Sequence, residues 1–399
     1  MTLTGKKFRN LIIQEARSGT EVEPRCPHAG ECGGCAFQER DYAAQVAAKA
    51  AVLNQLWENP DLPEGMCAPH LPIDIVPSPS PYNYRTRMDY VTTKGRFGLR
   101  MRGRFNYIVD LETCHLIPPA AFAAVHALWL KAQELELPDY NVRSHEGFLR
   151  YLVVRRSPQD TLLLAAVTAA QEYTAEMEQL AAVALEQPGV LGFHWLLNDT
   201  LTDLSFGSSL RHWGANTLPM QVGTNTLHLG PNSFFQNNVH LLLPLLDAVA
   251  EQVGPAEHAV DLYGGVGTIA MHLAPQVGSV ISIEAQAESA ALARYNSSVN
   301  NLANVKVKAE EVWSFLSRQM PGSIDVFVAD PPRTGLGLEV CAEILRLAPR
   351  RVVYVSCNPL TQLDDLRILA PAYQLTLLRG YDMFPHTPHV ETLGVLDRR

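Results

Sequence analysis

No apolar run in the 399-residue chain approaches the ~18 residues a membrane-spanning helix needs. The longest, 162–167 and 241–246, are short and broken by Thr168 or Pro244. Near the N-terminus only Leu11, Ile12 and Ile13 stand together between polar residues, which does not make the apolar stretch of a signal peptide. These absences point to a soluble cytoplasmic protein with no membrane partner. A cationic excess is also missing. Lys and Arg number 32 against 41 Asp and Glu, a net charge of −9, which argues against a non-specific nucleic-acid coat. Seven cysteines, unevenly spaced in a long chain, exclude a small secreted disulfide scaffold. Global disorder is excluded by 47% hydrophobic residues against 18% charged ones. No internal repeat or low-complexity tract is present.

Length alone favours two or three domains. Residues 1–24 read as a leader or a short strand pair, with Lys6, Lys7, Arg9 and Arg17 partly offset by Glu15, Glu21 and Glu23. Residues 36–58 contain neither Gly nor Pro, and Tyr42, Val46, Ala50, Leu53 and Trp57 recur at the spacing of one helical face. Asn59-Pro60 and the Pro63-Glu64-Gly65 turn end that helix. Five prolines between 69 and 81 read as an extended linker. Residues 84–215 mix short β-rich runs and turns around a helix near 120–134, an antiparallel-rich α+β region. From 231 onward the texture changes. Strand-like runs at 259–262, 280–283, 324–329 and 351–355 alternate with helical ones such as 288–300 and 338–347, which is the pattern of βαβ units and a parallel sheet. The expected division is therefore a leader at 1–24, an α+β domain at 25–230, and an α/β domain at 231–399, on which the 36–58 helix docks.

In the C-terminal part, Asp261-Leu-Tyr-Gly-Gly-Val-Gly-Thr268 joins a strand to a helix starting near Ile269. Glycines there let a ligand approach the backbone. The next strand ends at Glu284, 23 residues after Asp261 and suited to a ribose diol. Together they indicate an adenosine cofactor. Asp261 would repel a pyrophosphate and tolerate a sulfonium, which favours S-adenosylmethionine over NAD. Two later strands end at Asp330-Pro-Pro-Arg333 and Ser356-Cys-Asn-Pro359, on the same sheet edge. A thiol beside a methyl donor has a clear use. Carbon 5 of uracil is a poor nucleophile until a thiolate adds to carbon 6, and a base must afterwards remove the carbon-5 proton so that the thiol can leave. The stretch Asp382-Met-Phe-Pro-His-Thr-Pro-His-Val-Glu391 offers His386, His389 and Glu391 as that base.

Two further groupings stand out. Cys26-Pro-His-Ala-Gly-Glu-Cys32-Gly-Gly-Cys35 places three thiols in ten residues. Cys114 leads as a fourth ligand, with Cys67 the alternative. Four thiolates suit either Zn²⁺ or an iron–sulfur cluster. Residues 84–107 carry Arg85, Arg87, Lys94, Arg96, Arg100, Arg102 and Arg104 against a single acid, Asp89, with five aromatics between them. Cations for phosphates and aromatics for unstacked bases form the profile of single-stranded RNA binding.

Five runs in this order resemble the RNA 5-methyluridine methyltransferase family: Ser233-Phe-Phe-Gln236-Asn, 261–268, 330–333, 356–359 and His389-Val-Glu-Thr392. The resemblance implies a Rossmann-like S-adenosylmethionine methyltransferase domain beside a smaller α+β iron–sulfur and RNA-binding domain. It implies Cys357 as nucleophile and Glu391 as proton acceptor, with Gln236, Tyr263, Thr268, Glu284 and Asp330 at the cofactor. Gly264 stands where many relatives carry Cys, a difference not expected to matter for the chemistry. The cysteine array resembles that of members with a [4Fe–4S] cluster, on Cys26, Cys32, Cys35 and Cys114. Only 25 residues precede Cys26, too few for the N-terminal TRAM barrel of many relatives. That combination is most similar to the monomeric enzymes acting on 23S ribosomal RNA; the transfer-RNA T-loop uridine is the alternative substrate. Two other readings compete: an RNA N-methyltransferase, which would not need Cys357, and a non-catalytic RNA-binding protein.

Overall fold

The computed structural model describes residues 4–58 and 62–399. The expected stop at Asn59-Pro60 lies outside them. The chain divides into two compact units built from interleaved segments. One gathers Met1–Val22, Arg40–Pro79 and His240–Arg399; the other gathers Glu23–Glu39 and Ser80–Val239.

The first unit is organised by an eight-stranded sheet. From edge to edge its strands are Ile75–Val76, Tyr373–Tyr381, Glu391–Arg398, Arg351–Ser356, Val326–Ala329, Ala256–Leu262, Val277–Glu284 and Val305–Ala309. The last five in that order run parallel. Val326–Ala329 is buried throughout, as expected of a strand covered by helices on both faces. The four strand segments expected from the sequence lie in this sheet with their ends shifted. Chain order reverses about Ala256–Leu262, and ligands of such sheets bind at the carboxyl ends of the strands beside that switch point. Glu391–Arg398 is inserted antiparallel between Arg351–Ser356 and Tyr373–Tyr381. An antiparallel neighbour places its own beginning beside the other strand's end, so Thr392 pairs with Ser356.

Two N-terminal segments belong to this unit, contrary to the expected domain limits. The leader is a helix, Gly5–Ala16, whose Thr4 cap accepts a hydrogen bond from the Lys7 amide at 3.4 Å. Phe8, Ile12 and Ala16 recur every four residues and are buried; the charged residues between them conceal that stripe. The helix Tyr42–Trp57 buries Gln45, Ala48, Lys49, Val52, Leu53, Leu56 and Trp57, so Leu53 and Trp57 of the expected stripe are buried while Tyr42, Val46 and Ala50 are only partly so. The proline-rich linker contains the edge strand Ile75–Val76, and an edge is where strands flanked by proline are tolerated.

The second unit holds a seven-stranded sheet in the order Arg104–Asp110, Arg96–Met101, Arg87–Thr93, Leu149–Arg156, Leu162–Thr168, Val190–Leu197, Ser208–Gly214. All pairings are antiparallel except that of the fifth and sixth strands, which the helix Thr174–Glu186 connects. Tyr90, Phe97, Phe122 and Trp129 form the aromatic centre of its core. Among the described residues no helix is long and apolar enough to cross a membrane.

Candidate active site

The turn after Ala256–Leu262 is built around a sealed carboxylate. Asp261 Oδ2 accepts hydrogen bonds from the Ala270 amide and the Ser282 hydroxyl, both at 3.2 Å, while Oδ1 is buried without a partner. Gly264 is demanded by this arrangement, because a Cβ there would lie 1.9 Å from Ser282 Oγ. Tyr263 takes a left-handed backbone conformation (φ 64°), and Thr268 opens the helix Thr268–Leu273. Glu284 closes the turn: Oε2 accepts from the Gly265 amide at 2.9 Å and Oε1 from the Gln286 amide at 2.7 Å. Burial, with Asp330 and Glu284 adding to it, pushes Asp261 up to about 7, against the Ser282 and Ala270 hydrogen bonds. A strand edge crowded with carboxylates suits a cationic ligand and disfavours a pyrophosphate. Tyr263, Thr268, Glu284 and Asp330 thus gather at one sheet edge. Gln236 lies in the other unit, where its carbonyl accepts from the Thr86 hydroxyl at 3.1 Å.

Cys357 follows the end of Arg351–Ser356, and Glu391 begins the antiparallel strand beside it. Asn358 stabilises the turn: its amide donates to Ser356 Oγ at 3.1 Å and its side chain to the Arg333 carbonyl at 2.9 Å. Glu391 is 1% exposed, and its Oε1 has no partner. Burial, then the Asp330 charge, holds its carboxyl well above the usual range, with Arg333 opposing. Burial, then Glu391 and Asp330, pushes the Cys357 thiol up to about 12, again against Arg333. Thiol, two carboxylates and guanidinium therefore form one electrostatic group. Such a site can deliver a thiolate once a cation arrives and can hold or release a proton at a buried carboxylate.

Sequence reasoning passed over Arg333, although it ends a run that was singled out. Its Nη2 donates to His389 Nδ1 at 2.9 Å. The loop leading to Glu391 is held by the helix Tyr42–Trp57. Lys49 Nζ lies 2.5 Å from Asp382 Oδ1, both side chains fully buried, and donates to the Phe384 carbonyl at 3.1 Å. Tyr42 donates to Asp382 Oδ2 at 2.8 Å. Gln45 accepts from the His386 amide at 3.1 Å and contacts His386 Nδ1 at 3.2 Å. No sequence signal indicated these pairs, which are separated by more than 300 residues.

In the second unit Cys26, Cys32, Cys35 and Cys114 line one small cavity, and none is in a disulfide. Cys67 is exposed and belongs to the other unit. Among the described residues no group of three His, Cys, Asp or Glu side chains is arranged to hold a single metal ion. Burial pushes all four thiols up, Cys32 to about 11 and Cys35 to about 12, while hydrogen bonds to sulfur pull the other way. The Gly34 amide donates to Cys32 Sγ at 3.4 Å and Gln38 Nε2 to Cys35 Sγ at 3.2 Å. The buried Tyr90 hydroxyl interacts with the Cys114 thiol, and Arg85 Nε, also beside Cys114, is buried without a hydrogen-bond partner.

The six arginines taken for RNA contacts separate into two groups. Arg85 Nε is sealed beside the cysteines, and Arg87 pairs with Asp89 at 2.7 Å and donates to the Pro231 carbonyl at 2.8 Å. Both are partly exposed. Arg96, Arg102 and Arg104 are exposed, while the half-buried Arg100 pairs with Asp203 and stacks 3.8 Å over Phe105. Lys94, Arg96, Arg100 and Arg143 line a cavity of about 310 Å³ with Tyr107 and Tyr140.

The family model described as tRNA (Uracil-5-)-methyltransferase matches residues 215–399. An uncharacterized RNA methyltransferase of Caldanaerobacter subterraneus is 32% identical, over 99% of this chain and 90% of that protein. The tRNA (uracil(54)-C(5))-methyltransferase of Pyrococcus abyssi is 31% identical over 95% of this chain and 87% of its own. The crystal structure of the Pyrococcus abyssi enzyme with S-adenosyl-L-homocysteine superposes with a TM-score of 0.77 at 27% identity, covering 92% of this chain and 86% of that one. With a methyl-donor fold, a thiol and buried carboxylates at one sheet edge, and relatives aligned along nearly the whole length, the chain belongs to the tRNA (uracil-5-)-methyltransferase family and is an S-adenosylmethionine-dependent RNA uracil-C5 methyltransferase.

Proposed function

We propose that the enzyme methylates carbon 5 of a transfer-RNA T-loop uridine, with Cys357 as nucleophile and Glu391 as base. The carrying observation is the antiparallel strand that starts at Glu391 beside Cys357, which couples the two groups electrostatically. Tyr263, Thr268, Glu284 and Asp330 would hold S-adenosylmethionine, which would supply the methyl group. Cys357 and Glu391 release their protons to solvent as the cationic donor binds, the thiolate adds to carbon 6 of the uracil, and carbon 5, now nucleophilic, takes the methyl group with S-adenosylhomocysteine as the leaving group. After methylation Glu391 takes the carbon-5 proton, the ring double bond re-forms, and the carbon–sulfur bond breaks to free the thiolate. Arg333 stabilises the thiolate when Cys357 ionises. The target base must leave its stack to be reached from one ring face. Relatives named for uracil 54 of transfer RNA favour this substrate over the 23S ribosomal RNA suggested by the cysteine array.

The same reading assigns Cys26, Cys32, Cys35 and Cys114 to a [4Fe–4S] cluster. Supporting this reading, the four thiols line one small cavity and none is in a disulfide; four thiolates suit an iron–sulfur cluster as well as zinc. Bound there, the cluster supplies a structural crosslink between 26–35 and the Cys114 segment; methyl transfer moves no net electrons. The basic cavity at Arg96, Arg100 and Tyr107 belongs to the RNA surface of this proposal.

The test maps 5-methyluridine in transfer and ribosomal RNA from a strain lacking the protein, then follows variants on the RNA that loses the mark. Cys357→Ala should abolish methylation while retaining S-adenosylhomocysteine binding. Glu391→Gln should accumulate a methylated covalent enzyme–RNA adduct, seen as a slow band on a denaturing gel. Methylation by Cys357→Ala would remove the mechanism, and loss of the mark from ribosomal RNA alone would replace the substrate.

A further inference from the structure

A cavity of about 190 Å³ opens at Cys357, and one wall comes from the far end of the sequence: Gly5, Phe8 and Arg9 of the helix Gly5–Ala16. Arg333, Asn358 and His389 stand among its other lining residues, and no carboxylate side chain lines it. Two guanidinium groups line it, while Glu391 and Asp330, whose charges act on Cys357, are not among the lining residues. The volume lies below the ~300–1,000 Å³ of pockets that enclose a whole ligand. It suits one flat base with the sugar–phosphate backbone left at the mouth. Phe8 is 4% exposed and, with Ile12 and Ala16, anchors the helix, while Arg9 is only half-buried. Arg40, Arg100 and Arg351 each pair with a carboxylate; Arg9 has no such partner among the described residues. Arg333 spends one N–H on His389, and a guanidinium has five to offer.

We propose that the helix Gly5–Ala16 is part of the RNA-binding surface at the nucleophile, and that Arg9 and Arg333 grip the phosphodiester groups flanking the target uridine. This assignment rests on Cys357 being the nucleophile. Phosphate contacts fix position without reading sequence. Arg9 is therefore a positioning residue: it brings carbon 6 over the thiol by holding the backbone on either side of the unstacked base. Two phosphate grips at one small cavity would also retain an extruded nucleotide against restacking.

Arg9→Glu is compared with Lys308→Glu, an equal charge reversal on the outer strand Val305–Ala309. Affinity for the RNA that loses its mark in the deletion strain is measured from low to moderate salt. Arg9→Glu should weaken binding at least about fivefold, raise KM for RNA, and make log K against log salt shallower by about 0.7 per lost contact. Arg9→Lys should recover much of the affinity, and S-adenosylhomocysteine binding should be unaltered. Lys308→Glu should change neither affinity nor slope appreciably. Equal effects of the two reversals, or an unchanged slope in Arg9→Glu, would overturn the assignment. Failure of the nucleophile reading has a separate signature, methylation by Cys357→Ala.

Discussion

At the residue scale the site is poised in its inactive protonation state. With the Cys357 thiol pushed up to about 12, only a small thiolate fraction exists near neutrality. Alkylation of Cys357 by iodoacetamide in ligand-free enzyme should therefore rise about tenfold per pH unit from 7 to 9 without levelling, and Arg333→Ala should be slower still. Saturating S-adenosylmethionine should accelerate it, because a sulfonium favours the neighbouring anion; mass spectrometry of the Cys357 peptide gives the rates. A plateau near pH 8 in the free enzyme would contradict the burial argument. Asp261 offers a stability test. Its pKa rises from an unfolded value near 3.8 to about 7, so its neutral form is preferred in the fold. The associated stability is fully present below about pH 4 and is lost as pH rises through 7, a difference of about 4 kcal/mol for a fully buried group. Asp261→Asn should flatten the fall in melting temperature of ligand-free enzyme between pH 5 and 8.

At the element scale the helix Tyr42–Trp57 holds the loop leading to Glu391. Tyr42, Gln45 and Lys49 lie on one face and reach Asp382 and His386, the latter in a left-handed conformation (φ 63°) that non-glycine residues rarely adopt. Lys49→Met would leave Asp382 buried and charged without its partner, a loss of about 3–5 kcal/mol. Pairing it with Asp382→Leu should recover much of the melting temperature. Gln45→Leu removes both contacts to His386 while leaving the ion pair. It should cost about 1–3 kcal/mol and slow elimination more than attack, so that covalent adduct builds up as it does for Glu391→Gln. A Gln45→Leu enzyme with normal turnover and no adduct would confine the helix to a packing role. The same face shows why helical periodicity misled. Tyr42, Val46 and Ala50 form a plausible apolar stripe, but Gln45 and Lys49 are buried because polar partners await them in the fold.

At the scale of the whole molecule, two units share an interleaved chain, and their ligands should stabilise them separately. Calorimetry should show S-adenosylhomocysteine raising the transition of the unit containing Asp261, since a ligand of the native state adds stability by mass action. Oxidative removal of the proposed cluster should lower the transition of the cysteine-bearing unit, as metal binding is coupled to folding. Anaerobically purified protein should be brown, and Cys114→Ser should lose the colour where Cys67→Ser keeps it. Colourless protein with stoichiometric zinc would exchange the cluster for an ion. The sequence by itself determined what is written in consecutive residues: the βαβ alternation, the glycines and acids at strand ends, and the thiol at Cys357. Those signals are local because a strand end is a local object. Tertiary structure alone decided what depends on a distant partner. It turned an apparent leader into a wall of the Cys357 cavity, set Arg85 beside the cysteines, and set Lys49 against Asp382. Periodicity in a sequence specifies which face of an element is apolar, but a buried charge is stable only beside its counter-charge, and here that lies 333 residues away.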